Sequence, residues 1–171
     1  MSDLDTPGRW PRGRMNIALH GLLLAGGRSS RIGRDKASMV IGDRGVSQAA
    51  DALGLLRSLC ARSYLSLRGG QVAPAGAEGV PVLRDEPAAE GPLAGILSAF
   101  RAVPGSAWLV VACDLPFVRA DLLARLVESY RSEPSRPFVA YAAAADGLPE
   151  PLCAIYGPPA GPILARSSPI L

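Results

Sequence analysis

Trp108 to Cys113 is an unbroken apolar run of six residues, closed by the carboxylate of Asp114. No polar residue alternates through it, so it fits a strand covered on both faces, as in the interior of a parallel sheet. Ile17 to Leu24 is a second, almost wholly apolar run, ended by Gly26-Gly27. Tyr64 to Leu67, ended by Gly69-Gly70, and Val80 to Leu83 are shorter versions. Phe138 to Ala143 and Leu152 to Tyr156 predict two later strands, joined by a turn carrying Asp146-Gly147 and Pro149.

Helical spacing separates these runs. Val46, Ala49, Ala50, Leu53, Leu56 and Cys60 recur every three to four residues, which predicts a helix over 46–62. Leu93, Ile96, Leu97 and Phe100 mark a second helix, opening after Pro92 and closing before Pro104-Gly105. Asp121 to Tyr130 is a third, with Leu122, Leu123, Leu126, Val127 and Tyr130 on one side. Alternating strands and helices predict an α/β fold: a Rossmann-like, mostly parallel sheet with helices on both faces. Ligands of such sheets bind beyond the carboxyl ends of the strands. The segment after the first strand, Asp85 after the third and Asp114 after the fourth are therefore expected along one edge.

Composition narrows the function classes. The 171 residues are 49% hydrophobic and 19% charged, too apolar for a disordered chain. A chain of this length buries roughly 70% of its unfolded surface and needs neither disulfides nor a structural metal to hold a core. The net charge of +3 is a thin excess with no basic stripe, so a nucleic-acid partner is not expected. The three cysteines, Cys60, Cys113 and Cys153, are widely spaced and form no CxxC or Cys/His pair; they read as reduced, buried thiols. His20 is the sole histidine and reads as a strand packing position. No stretch approaches the ~20 apolar residues of a membrane span, and the Arg9–Gly27 region lacks a signal-peptide cleavage pattern. Residues 1–15, punctuated by Pro7, Gly8, Pro11 and Gly13, are expected to be a disordered extension, and 16–171 a single domain.

The segment after the first strand carries the strongest chemical signal. It reads Leu24-Ala25-Gly26-Gly27-Arg28-Ser29-Ser30-Arg31-Ile32-Gly33-Arg34-Asp35-Lys36. Glycines admit close backbone approach, and successive N–H groups form an anion-binding concavity. Four cations within nine residues repel one another unless an anion lies between them, and Arg forks and Lys point charges suit phosphate. The spacing is neither a Walker A loop nor the G-x-G-x-x-G fingerprint. Asp114, at the end of a buried strand and followed by Leu115-Pro116, suits Mg²⁺, which accepts one or two carboxylates plus phosphate oxygens and waters; a turn or N-cap aspartate is the alternative. Asp85 precedes Gly91-Pro92-Leu93-Ala94-Gly95, where a helix N-terminus would face an anion; alone it also reads as a turn residue.

Taken in order, the Gly-rich segment, Asp85 with Gly91–Gly95, Ala112-Cys113-Asp114-Leu115-Pro116 and Pro151-Leu152-Cys153-Ala154-Ile155-Tyr156 resemble molybdenum cofactor guanylyltransferase, from about residue 17 to 157. The resemblance implies a nucleotide-diphospho-sugar transferase type of fold and transfer of GMP from GTP to molybdopterin with Mg²⁺ in the cytoplasm. It also allows contact with other proteins of molybdenum cofactor biosynthesis. It implies that Leu24, Ala25, Gly26 and Gly27 contact GTP, that Lys36 and Arg31 meet its phosphates, that Asp85 contacts the nucleotide and that Asp114 binds Mg²⁺ and GTP. Lys36, Arg31 and Asp114 would be catalytic. Gly26-Gly27 favours a guanylyl over a cytidylyl transferase. Three departures stand out: Arg68 lies where the family commonly has asparagine, Gly42–Gln48 lacks the usual Gly-x-Pro-Leu, and the chain to Leu171 has no Asn-x-Asn-Thr-Pro segment. A CTP-dependent transferase of the same fold and a non-catalytic nucleotide-binding homologue are the other readings.

Overall fold

The computed structural model describes residues 17–26, 47–115, 118–142 and 147–167. The expected N-terminal extension, Gly27 and the cations Arg28, Arg31, Arg34 and Lys36 lie outside the described residues. Chain order is β1 (Leu19–Leu24), α1 (Gln48–Leu59), β2 (Arg62–Leu67), β3 (Val82–Arg84), α2 (Pro92–Ala102), β4 (Ala107–Ala112), α3 (Ala120–Ser132), β5 (Phe138–Ala142), β6 (Pro149–Tyr156) and α4 (Ala160–Ser167).

The strands form one sheet in the order β3-β2-β1-β4-β6-β5. β1 pairs in parallel with β2 and β4, and β2 with β3. β6 runs antiparallel to both β4 and β5. The mostly parallel sheet read from the sequence is thus the one observed. Every residue of central β4 is buried, which explains its lack of polar alternation.

Two apolar layers sandwich the sheet. On one face Leu53 and Leu56 of α1 and Leu123, Leu126 and Tyr130 of α3 pack on Leu19, Leu23, Leu65, Leu109 and Val111. On the other, Ile96 and Ala99 of α2 and Ala160 of α4 pack on Leu22, Tyr64, Trp108 and Val110. Full burial of a large apolar side chain contributes roughly 1.5–3 kcal/mol, so these layers dominate stability. Ser47 caps α1, its Oγ accepting from the Ala50 N–H at 3.2 Å and donating to the Ala75 carbonyl at 2.7 Å. Pro92 opens α2, where a missing N–H costs nothing.

The structure corrects several boundaries. The first helix is Gln48–Leu59 rather than 46–62, because Arg62 already starts β2. The third strand is Val82–Arg84, two residues later than the apolar pattern suggests, since an edge strand with exposed Val82 is placed by pairing with β2 and not by burial. Pro149 is the first residue of β6 rather than part of the turn; that position is one where a strand tolerates proline. A bulge at Ala140/Ala142 absorbs the resulting register shift. The sequence reading also had no α4, whose Gly161 and Pro162 look like loop punctuation but fall in its first turn.

All three cysteines are free thiols, Cys60 and Cys153 buried and Cys113 half-buried. Burial pushes the Cys60 thiol up to about 12 and raises that of Cys153, so both stay protonated at neutral pH.

Candidate functional site

A cleft of about 850 Å³ opens across the carboxyl ends of β1, β2, β3 and β4. Leu24, Ala25 and Gly26, Asp85, and Asp114 all line it, so one concavity gathers residues from three separate strand ends. These were the convergent positions expected from topology. Of the other sequence-based site residues, Gly27, Arg31 and Lys36 lie outside the described residues.

Each wall is built by its backbone. Ala25 N–H donates to the Ser66 carbonyl at 3.1 Å, and the Leu24 carbonyl accepts from Cys113 N–H at 3.0 Å, so the end of β1 is held between β2 and β4. Asp85 N–H donates to the Leu67 carbonyl at 2.9 Å, extending the pairing of β2 and β3. Both backbone polar groups of Ala25 are engaged, its carbonyl accepting from Gln71 Nε2 at 2.8 Å. What Ala25 offers a ligand is therefore its methyl surface and the path of the chain.

Asp85 is aimed by Ser66. The fully covered Ser66 hydroxyl donates to Asp85 Oδ1 at 2.5 Å. The other oxygen lies against the backbone of Gly26: a Cβ there would fall 2.7 Å from Oδ2. Gly95, in the first turn of α2, presses equally hard from above; a Cβ on it would collide with the Ser66 side chain and sit 2.9 Å from Leu24 Cδ2. Gly91, Pro92 and Ala94 line the cleft, so the positive end of α2 points into it.

The 85–91 wall is tied to α2. Glu86 N–H donates to the Ala94 carbonyl at 3.1 Å, and the Glu86 carboxylate accepts from Ala88 N–H and pairs with Arg101. The Arg101 side chain is 71% exposed, so this pair fixes geometry more than it adds stability. Among the described lining residues, Asp85, Glu86, Glu90 and Asp114 are acidic and Arg68 and Arg84 basic. A polyanion there needs cations beyond these.

Asp114 differs from Asp85. It is exposed at the cleft, and among the described residues its carboxylate takes no hydrogen bond or ion pair. The described residues include no group of three or more His, Cys, Asp or Glu arranged to hold a metal. One exposed carboxylate beside a ligand-sized cleft fits the binding mode of Mg²⁺, which takes most of its oxygens from phosphate and water. It does not fit a dedicated all-protein cage.

Several cleft residues are not singled out by the sequence pattern: Ser66, Arg84, Glu86 and Glu90; Leu152, from the Pro151–Tyr156 segment, lines the cleft as well. Ser66 alone left a local signal, as a polar residue inside the apolar run Tyr64–Leu67. Arg68, noted at the position of a family asparagine, does line the cleft.

A mostly parallel six-stranded sheet with a cleft across its carboxyl ends is an α/β fold of the nucleotide-diphospho-sugar transferase type. The chain belongs to the MobA-like NTP transferase domain family, which matches residues 21–168. It is 36% identical over 140 residues to a molybdenum cofactor biosynthesis bifunctional protein of Synechocystis sp., covering 82% of this chain and 39% of that protein. It is 44% identical over 120 residues to a molybdenum cofactor guanylyltransferase of Rhizobium leguminosarum bv. trifolii, covering 67% of this chain and 52% of the relative. The chain thus spans about half or less of the length of these curated relatives. Among solved structures, molybdopterin-guanine dinucleotide biosynthesis protein A from Archaeoglobus fulgidus aligns with a TM-score of 0.64 at 25% identity, over 87% of this chain and 72% of that one.

Proposed function

We propose that this chain transfers GMP from GTP to molybdopterin, releasing pyrophosphate. The observation that carries the reading is the meeting of Gly26, Asp85 and Asp114 in one cleft of a MobA-like NTP transferase domain. Relatives named for guanylyl transfer to the molybdenum cofactor support the choice of substrates.

In this reading the acceptor's terminal phosphate, already ionised at neutral pH, attacks the α-phosphorus of GTP. A new P–O bond forms, the α–β bridging bond breaks, and pyrophosphate leaves with the electron pair. No strong general base is needed, and catalysis is positioning plus charge neutralisation. Leu24, Ala25 and Gly26 shape the nucleotide's seat, and Asp85, oriented by Ser66, contacts it. Lys36 neutralises the α-phosphate and Arg31 the leaving pyrophosphate, supplying the cations that the acidic cleft requires. Asp114 would hold Mg²⁺, which adds positive charge at the triphosphate.

Cytoplasmic location and contact with other molybdenum cofactor biosynthesis proteins belong to the same proposal. No helix among the described residues is long and apolar enough to cross a membrane. The test is pyrophosphate release with molybdopterin, comparing GTP·Mg²⁺ with CTP·Mg²⁺. Faster release from GTP is expected. Equal or greater release from CTP overturns the guanylyl assignment, and tight GTP binding without release turns the reading to a non-catalytic homologue.

A further inference from the structure

The pairing of β1 and β2 stops in an unusual way. Leu24 and Ser66 are the last paired residues, and Ala25 N–H then donates to the Ser66 carbonyl. In a parallel ladder the next bond would run from Arg68 N–H to the Ala25 carbonyl. That bond is replaced by a side chain. Arg68 N–H donates to Gln71 Oε1 at 3.3 Å, and Gln71 Nε2 donates to the Ala25 carbonyl at 2.8 Å. One carboxamide is inserted where the next rung would form. Only one orientation works, since the reverse would set donor against donor and acceptor against acceptor.

Gln71 reaches this position through a tight turn. Its own N–H donates to the Arg68 carbonyl at 3.2 Å, and Gly70, at the third position of the turn, has φ +76°, as a type II turn requires. Arg84, at the end of β3, fastens the turn: its Nη1 donates to the carbonyls of Arg68 at 3.0 Å and Gln71 at 2.8 Å. Both groups that the amide bridges belong to residues lining the cleft.

We propose that Gln71 is a positioning residue for the nucleotide: its amide wedges β1 and β2 apart and thereby sets where the Gly-rich segment leaves the sheet. The proposal rests on the nucleotide reading above. Gln71 touches no reacting atom in it. It acts through Ala25, and so on Gly26 in the cleft wall.

The test uses Gln71→Glu and Gln71→Ala in the full chain. Glutamate keeps the shape and the acceptor for Arg68 N–H but sets a carboxylate against the Ala25 carbonyl. Alanine removes the wedge and lets the strands form their own rung. Calorimetry should show both variants binding GTP·Mg²⁺ about tenfold more weakly: glutamate because the Ala25 carbonyl loses its donor, alanine because the end of β1 closes onto β2 and shifts Gly26. KM for GTP should rise with kcat within about twofold, because the residue positions substrate and not the transition state. Should Gln71→Glu fail to fold, Gln71→Ala decides alone. If a folded variant keeps wild-type GTP affinity, or loses melting temperature only, Gln71 is a structural brace and the inference falls while the nucleotide reading stands. If the wild-type chain binds no GTP, the nucleotide reading fails first and takes this inference with it.

Discussion

Ser66 on β2 donates a 2.5 Å hydrogen bond to Asp85, the residue just past β3, and that bond sets which way this cleft carboxylate faces. Ser66 is 1% exposed, so its hydroxyl has no water to turn to. Ser66→Ala should lower stability by about 1.5–3 kcal/mol, the range for hydrogen bonds to charged groups. It should also weaken GTP binding by freeing Asp85 to rotate. Urea denaturation and calorimetry read the two effects separately. Undiminished affinity would mean that Asp85 is not aimed by Ser66.

Gly95 tests the same pair from the helix side. Gly95→Ala places a methyl group against Ser66 and Leu24, both held by the sheet. Overpacking of this kind costs about 1–3 kcal/mol, even though alanine is the better helix former. A melting temperature equal to or above wild type would show that α2 can lift away from β2 at no cost.

Asp114 and Lys36 should fail differently. Asp114→Asn removes one exposed charge at the end of a buried strand and should leave the fold intact, while GTP binding loses its dependence on Mg²⁺. Turnover should fall about 10²–10³-fold, as when one transition-state donor is removed. Lys36→Ala should weaken triphosphate binding with or without metal, and GTP more than guanosine. Unchanged GTP affinity in the lysine variant would remove the 24–36 segment from the phosphate site.

His20 predicts an acid sensitivity. It lies half-buried beside Trp108 and Tyr64, with ring centroids 5.3 and 5.7 Å away, and its Nδ1 is buried with no hydrogen-bond partner among the described residues. Burial lowers its pKa from the ordinary 6.5, aided by the charge on Arg62 and opposed by a backbone hydrogen bond at Arg62. The unfolded chain then binds the proton more readily, so stability is full above pH 6.5 and declines as pH falls from there through the lowered folded value. His20→Phe should flatten the stability profile below pH 6.5 in urea titrations. An unchanged acid slope would assign the sensitivity to carboxylates instead.

Much of this was legible in the residues. An unbroken apolar run identifies β4, and one broken only by His20 and Gly21 identifies β1, because strands buried on both faces show no polar alternation to misread. Topology then carries Gly26, Asp85 and Asp114 to one edge without any knowledge of side-chain geometry. The layers that shape the cleft were less visible. Gln71 and Ala25 are 46 residues apart, and no local period encodes a hydrogen bond of that reach. Val82–Arg84 is an edge strand defined by its partner, and α4 hides behind Gly161 and Pro162, which a first helical turn tolerates.

The reversed direction of β6 has a consequence for how such a protein can diversify. β5 finishes, and β6 begins, at the end of the sheet where β4 finishes, which brings Leu152 into the cleft lining from the side of β4 away from β1, β2 and β3. β6 thus adds to the cleft from beyond β4, on the side away from the β1–β2–β3 wall. A substitution at Leu152 changes the lining from the β6 side and leaves the ends of β1, β2 and β3 as they are. One flipped strand gives the cleft two unlike sides, one built by parallel strand ends and one by a strand that enters from the opposite direction.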